Sequence, residues 1–152
     1  MDLERFKERV LNLVPEAELE ANPQFPVFTI PAGKLHDLAS KLKADEETSV
    51  DYLFCLSGVD MEKYLMVVYH LASTLHGHSL VLKVKTEDRE NPAFDSVADL
   101  WKTAEFHERE VYDLFGIRFH NHPDLRKIFL DENWVGYPMR KDYKDEVNIV
   151  EL

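Results

Sequence analysis

Cysteine is nearly missing from this chain. Cys55 is the single one, so an internal disulfide is excluded, and one thiol cannot hold an iron-sulfur cluster, which takes about four protein ligands. Its setting, Leu53-Phe54-Cys55-Leu56, reads as a buried strand thiol. Glycine is sparse as well. The five present, Gly33, Gly58, Gly77, Gly116 and Gly136, are too scattered for a dinucleotide fingerprint or a phosphate-cradling loop, so the sequence gives no support for NADH binding by this chain. Long apolar runs are also lacking: Tyr64 to Ala72 is the longest, far short of the roughly twenty residues a membrane-spanning helix needs. Positive charge is short too. With 18 basic against 29 acidic residues the net charge is -11, which argues against nucleic acid or an anionic membrane surface as partner and favours a basic protein surface. The first residues, Met1-Asp2-Leu3-Glu4-Arg5-Phe6-Lys7-Glu8-Arg9, mix both signs instead of forming a basic region followed by an apolar one. No signal peptide is visible, and a cytoplasmic location is expected.

What is present suits one globular domain: 152 residues, 45% hydrophobic and 31% charged, enough to bury a core. An amphipathic first helix is carried by Leu3, Phe6, Val10, Leu11 and Leu13 and closed by Pro15. Phe25 to Ile30 reads as an edge strand blunted by Pro23 and Pro26. A second helix starts at Pro31 and runs to about Lys43 on Leu35, Leu38, Ala39 and Leu42. Three strands follow at Ser49 to Val59, Lys63 to Ser73 and Ser79 to Glu87. Their alternation is clearest at Val50, Tyr52, Phe54, Leu56 and at Leu80, Leu82, Val84, and turns at Asp60 to Glu62 and His76-Gly77-His78 make them a meander. The plan is α+β: a mostly antiparallel four-stranded sheet covered by helices over residues 1–116, then an extended irregular C-terminal arm over 117–152. That arm lacks a helix or strand period yet carries Ile117, Phe119, Leu125, Ile128, Phe129, Leu130, Trp134, Val135, Tyr137 and Tyr143. Such a segment either packs back on its own domain or is buried on a partner.

The densest chemistry lies between Glu108 and Arg126. Val97, Leu100, Trp101, Ala104, Val111, Leu114 and Phe115 recur at helical spacing, with Gly116 as the C-terminal cap, so Glu108, Glu110 and Asp113 ride the last turns of a helix. Acids there oppose the helix dipole, and a broken local rule points to a strained or functional site. The ordinary reading is a self-neutralising network, with Glu105–Arg109 and Arg109–Asp113 as i,i+4 pairs and Arg118, Arg126 and Lys127 folding back onto the acids. The sharper one is a catalytic carboxylate pair, a free-standing acid-base or metal-dependent enzyme using Glu108, Asp113 and His122; nothing nearby supplies a nucleophile or a second ligand set. His76-x-His78 and His120-x-His122 each begin a possible metal site that no further pattern completes.

The run Glu108-Arg109-Glu110, Asp113-Leu114-Phe115-Gly116, His122-Pro123-Asp124-Leu125-Arg126 and Gly136-Tyr137-Pro138-Met139-Arg140-Lys141-Asp142-Tyr143 resembles the C-type, 30 kDa subunit family of NADH-quinone oxidoreductases, the respiratory complex I family. The likeness is close over the last third of the chain. Two departures, Glu105-Phe106 for the family's Asn-Trp and Tyr137 for its His, keep a bulky partner at each place. The resemblance implies a structural, non-redox subunit of the peripheral arm, on the cytoplasmic side of the membrane, beside the D subunit that holds the quinone site and the B subunit that bears a cluster, with the I subunit as a further neighbour. It implies that NADH, FMN, iron-sulfur clusters and quinone belong to other subunits and that this chain binds no cofactor or metal. It makes Glu108, Arg109, Glu110, Asp113, Arg118, His122, Asp124, Arg126, Trp134, Arg140 and Lys141 partner-interface candidates. Related complexes reuse the module, so an energy-converting hydrogenase or a complex with another electron donor is the alternative.

Overall fold

The computed structural model describes residues 3–22 and 24–144. Helix α1 spans Leu3–Leu13, β1 Glu18–Glu20 and β2 Val27–Thr29; a 3-10 turn at Ala32–Lys34 leads into α2, Leu35–Ala44. Strands β3 (Tyr52–Asp60), β4 (Leu65–Ala72) and β5 (Ser79–Thr86) follow, then β6 (Ala93–Asp95), α3 (Thr103–Phe115) and β7 (Arg118–His120). In α1, Phe6 and Val10 lie one turn apart and are both buried, and Val14 continues the stripe just past the helix end. Helix α2 buries Leu35, Leu38, Ala39 and Leu42, and carries Asp37 in its first turn and Lys41 and Lys43 in its last, in accord with the dipole.

The main sheet is five-stranded, in the order β1-β2-β5-β4-β3; it is mostly antiparallel as expected, with a fifth strand and one parallel pairing that the expected four-stranded sheet lacked. β2 is not an edge. It pairs parallel with β5, Phe28 opposite Leu82, because Phe28 and Ile30 are buried in the same core as Leu80 and Leu82. Antiparallel β1 covers its other side. β1 is short, acidic and exposed throughout, the traits of a protected edge rather than of a strand readable from its apolar pattern. Pro26, just ahead of β2, donates nothing but accepts from the Val81 N–H at 2.9 Å.

Strand β4 alternates cleanly, Leu65, Val67, Tyr69 and Leu71 inward. Strand β3 does not. Its register against β4 shifts between Leu53 and Cys55, so Leu53 and Leu56 are buried while Tyr52 and Phe54 are exposed; the expected single face Val50, Tyr52, Phe54, Leu56 is broken by a bulge. Cys55 is half-buried, not fully so, and its Sγ lies 3.3 Å from Ser57 Oγ.

Beyond β5 the chain forms a second, two-stranded parallel sheet, β6 with β7, Phe94 opposite Phe119. Three-residue strands leave no period to read, and the sequence showed neither. Phe94, Ile117 and Phe119 join the main core, so the irregular arm starts at Asn121. Helix α3 packs on β3 so closely that a Cβ at Gly58 would lie 2.6 Å from the Phe115 ring. Gly116 ends the helix at φ 74°, as its cap position predicts.

Candidate functional site: the arm clamp

The charge cluster of α3 is not a solvated face. Glu108, Arg109 and Asp113 are buried, while Glu110 is exposed. Nor is it the expected network of i,i+4 pairs: the ion pairs of the described residues include none between Arg109 and Glu105 or Asp113. Each buried charge instead serves backbone or hydroxyl groups.

Asp113 Oδ2 accepts the N–H groups of Ile128, Phe129 and Leu130 at 3.2, 2.8 and 3.0 Å, making a cradle of three donors around one oxygen. Arg109 Nε and NH2 donate to the carbonyls of Arg126 and Lys127, both at 3.1 Å. Lys127 Nζ in turn reaches the carbonyls of Asp131 at 3.3 Å and Trp134 at 2.9 Å. One turn of α3 thus holds both the donors and the acceptors of residues 126–130, which have no regular structure to satisfy them. An acid near a helix C-terminus is unfavourable to the helix, and the cradle explains why it stands there.

A second clamp holds the end of the arm. Asp60, buried at the end of β3, takes both Arg89 guanidinium nitrogens at 2.7 and 2.8 Å, the Glu62 N–H at 2.8 Å and the Lys141 N–H at 2.9 Å. The hydrogen bonds from Arg89 hold its carboxyl well below the usual carboxylate range, against the opposing effect of burial. Arg140 Nε donates to the Phe115 carbonyl at 2.6 Å and NH1 to the Arg89 carbonyl at 2.8 Å, with its guanidinium 4.9 Å from the Tyr137 ring. Tyr137 lies over Gly116. Neither Asp60 nor Arg89 stood out in the sequence: their partners are far along the chain, and no local spacing announces them.

The remaining predicted residues are scattered. His122 Nε2 lies 2.9 Å from the Glu105 carbonyl and its Nδ1 accepts the Asp124 N–H at 2.9 Å, which places the proton on Nε2. Asp124 and Arg126 pair at 2.8 Å on the surface, and Arg118 lies 6.0 Å from the Tyr112 ring. Trp134 keeps its indole N–H buried without a hydrogen-bond partner among the described residues. Lys141 contributes its backbone more than its ammonium, which is 3.8 Å from Glu62. Glu108, Asp113 and His122 therefore each face a different partner and are not drawn together around a common reacting centre. His120 and His122 do not converge with acids either; among the described residues no group of three or more His, Cys, Asp or Glu side chains is arranged to hold a metal.

The polar groups hold the arm's backbone; Leu125, Ile128, Leu130 and Trp134 are half-buried, and several other large apolar side chains are left outside. Phe129 is 66% exposed, Val135 88% and Met139 56%, with Phe106 of α3 at 59%. The fold and the site define a mixed-sheet α+β module whose buried charges pin an irregular arm, with several of that arm's apolar side chains exposed. The family described as the respiratory-chain NADH dehydrogenase 30 Kd subunit matches residues 28–147, and the chain belongs to that family. A C/D-type subunit of the NADH-quinone oxidoreductase of Phocaeicola vulgatus is 50% identical over 120 residues, covering 78% of this chain and 23% of the relative. The C-type subunit of the NADH-quinone oxidoreductase of Chloroherpeton thalassium is 44% identical over 131 residues, 84% of this chain and 54% of the relative. The chain thus spans from about a quarter to about half the length of these relatives. A chain in the structure of the membrane-bound sulfane sulfur reductase, an archaeal respiratory membrane complex, superposes with a TM-score of 0.73 at 26% identity, covering 93% of this chain and 85% of that one. No helix among the described residues is long and apolar enough to cross a membrane.

Proposed function

We propose that this chain is a structural, non-redox subunit of the peripheral arm of an NADH-quinone oxidoreductase, on the cytoplasmic side of the membrane, positioning the D and B subunits, with the I subunit as a further neighbour. The observation that carries this reading is the division of labour in the arm. Its backbone is held by Arg109, Asp113, Asp60 and Arg140, so Phe129, Val135 and Met139 are presented on a pre-ordered strap. Ordering paid in advance favours binding, since fewer rotamers and loop conformations are lost on association. Relatives that bear the joint C/D name support a place next to the D subunit. NADH, FMN, iron-sulfur clusters and quinone then belong to other subunits, and proton translocation to the whole assembly.

The likeness to a chain of a sulfane sulfur reductase complex favours one second reading, the equivalent subunit of a respiratory complex with another electron donor. Affinity purification of the tagged chain from its own host, followed by mass spectrometry, separates the two by the donor-side subunits recovered. The docking reading is tested by the combined substitution Phe129→Ser, Val135→Ser and Met139→Ser. These residues are exposed, so the isolated chain keeps its melting temperature within a few degrees, while the amount of assembled complex falls at least tenfold and activity per assembled complex changes little. Full assembly with activity abolished would overturn the structural reading.

A further inference from the structure

A carboxylic acid on α3 sits in the core and takes no part in either arm clamp. Glu108 has no exposed surface. Its Oε1 accepts the Ser96 hydroxyl at 2.6 Å, and its Oε2 has only a long contact, 3.3 Å, to the Val97 N–H. Nearby, Tyr69 is buried and its hydroxyl has no hydrogen-bond partner among the described residues. Ser96 is itself buried, accepts the Ala98 N–H at 3.1 Å, and lies at a cleft of about 510 Å³ lined also by His36, Asp37, Asp95, Asp99 and Asn121. We propose that Glu108, with Ser96 and Tyr69 around it, is a buried proton-binding site whose carboxyl gains and loses one proton through the cleft that Ser96 borders.

The charges facing the site argue for the neutral acid. From the turn after β6, Asp99 faces Glu108 and pairs with His36 of α2 at 2.9 Å. Asp95 of β6 lies opposite His120 of β7, and Asp37 is another of the residues that line the cleft. Tyr69 of β4 contributes a hydroxyl whose ionisation is suppressed, by burial foremost and then by Glu108 and Asp95. An ionised carboxylate with one hydroxyl, one long N–H contact and the acid Asp99 near it is poorly compensated, whereas a protonated one can also donate. Burial raises the Glu108 carboxyl to about 7; the Ser96 and Val97 hydrogen bonds pull it down, and Asp99 adds to the rise. For a raised carboxyl the neutral form is the one the fold prefers. The stabilisation is present in full below the ordinary glutamate range and is lost as pH rises through the folded midpoint. Glu108 and Ser96 join α3 to the residue after β6, so the proton sits next in the chain to Arg109, which holds the arm.

The test is a pH titration of the full chain from 4 to 9, read by carboxyl-carbon NMR with labelled glutamate and by thermal melting. One glutamate resonance is expected to titrate near 7 and to be absent in Glu108→Gln, whose melting temperature should not show the wild-type decline between about pH 5 and 8. Two further changes tune the site: Ser96→Ala should raise the midpoint and Asp99→Asn should lower it. A Glu108 resonance titrating at the ordinary value near 4.5, or Glu108→Gln with the full wild-type decline, overturns the proposal. Should Glu108→Gln not fold, the Asp99→Asn shift in the otherwise unchanged chain decides, and its absence overturns the proposal too. No partner protein enters the measurement, so its outcome is separate from that of the assembly test.

Discussion

Replacing Asp113 by Ala removes the single oxygen on which three backbone N–H groups of the arm converge. Hydrogen bonds to a charged group contribute about 1.5 to 3 kcal/mol each when shielded, and less where water can take the donor. Ile128, Phe129 and Leu130 sit in a part-buried setting, so about 1 kcal/mol each is a fair figure, or about 3 kcal/mol for the loop. At 1.4 kcal/mol per factor of ten, local opening of the arm becomes more than about a hundredfold more frequent. The rest of the fold should respond differently. The three bonds serve the arm and not the sheet, so the loss is local and the melting temperature should shift by only a few degrees. Amide hydrogen exchange on the full chain measures both at once. The amides of residues 126–130 should accelerate about a hundredfold, while Val67, Tyr69 and Leu71 of β4 stay within about tenfold. Asp113→Asn, which keeps an uncharged acceptor, should fall between the two, since charge-assisted bonds are roughly twice as strong as neutral ones. Unchanged arm amides in Asp113→Ala, or equal acceleration of arm and β4, would refute the clamp.

Two further predictions rest on the second clamp and on the helix cap. Asp60→Asn breaks the pair with Arg89 and should cost about 3 kcal/mol at pH 7, the low end for a buried pair, measured by denaturant unfolding. Because the Asp60 carboxyl is depressed in the fold, its stabilisation is present above the unfolded value near 3.8 and is lost as pH falls through the folded midpoint, so the gap between wild type and variant should narrow only below about pH 4. Gly116→Ala places a Cβ at φ 74°, 2.5 Å from the Tyr137 ring; about 1 kcal/mol of backbone strain should lower the melting temperature by about 2 to 4 °C, and displacement of that ring should lower it further. Gly33→Ala, with no heavy atom within 4 Å of the added carbon, should leave it nearly unchanged.

The local periods decided much of this molecule. Helices α1 and α2, the meander of β3, β4 and β5, and the Gly116 cap follow from apolar spacing and turn residues, because each is specified within a few neighbouring positions. The family, too, was legible in the run from Glu108 to Tyr143. What the sequence could not carry was any pairing between distant segments. The parallel contact of β2 with β5, the acidic edge strand β1 and the β6–β7 sheet are too short to show a period of their own and exist only because Phe28, Phe94 and Phe119 must share one core. The bulge that turns Phe54 outward is a property of the β3–β4 pair and not of β3. The charge cluster shows the same division. Its anomaly against the helix dipole was visible in Glu108 and Asp113, but its use was not: a carboxylate does not announce whether it will meet a lysine, a serine or three amides. Only the tertiary structure, by burying these side chains beside the unpaired backbone of residues 126–130 and beside Ser96, decided which partner each one has.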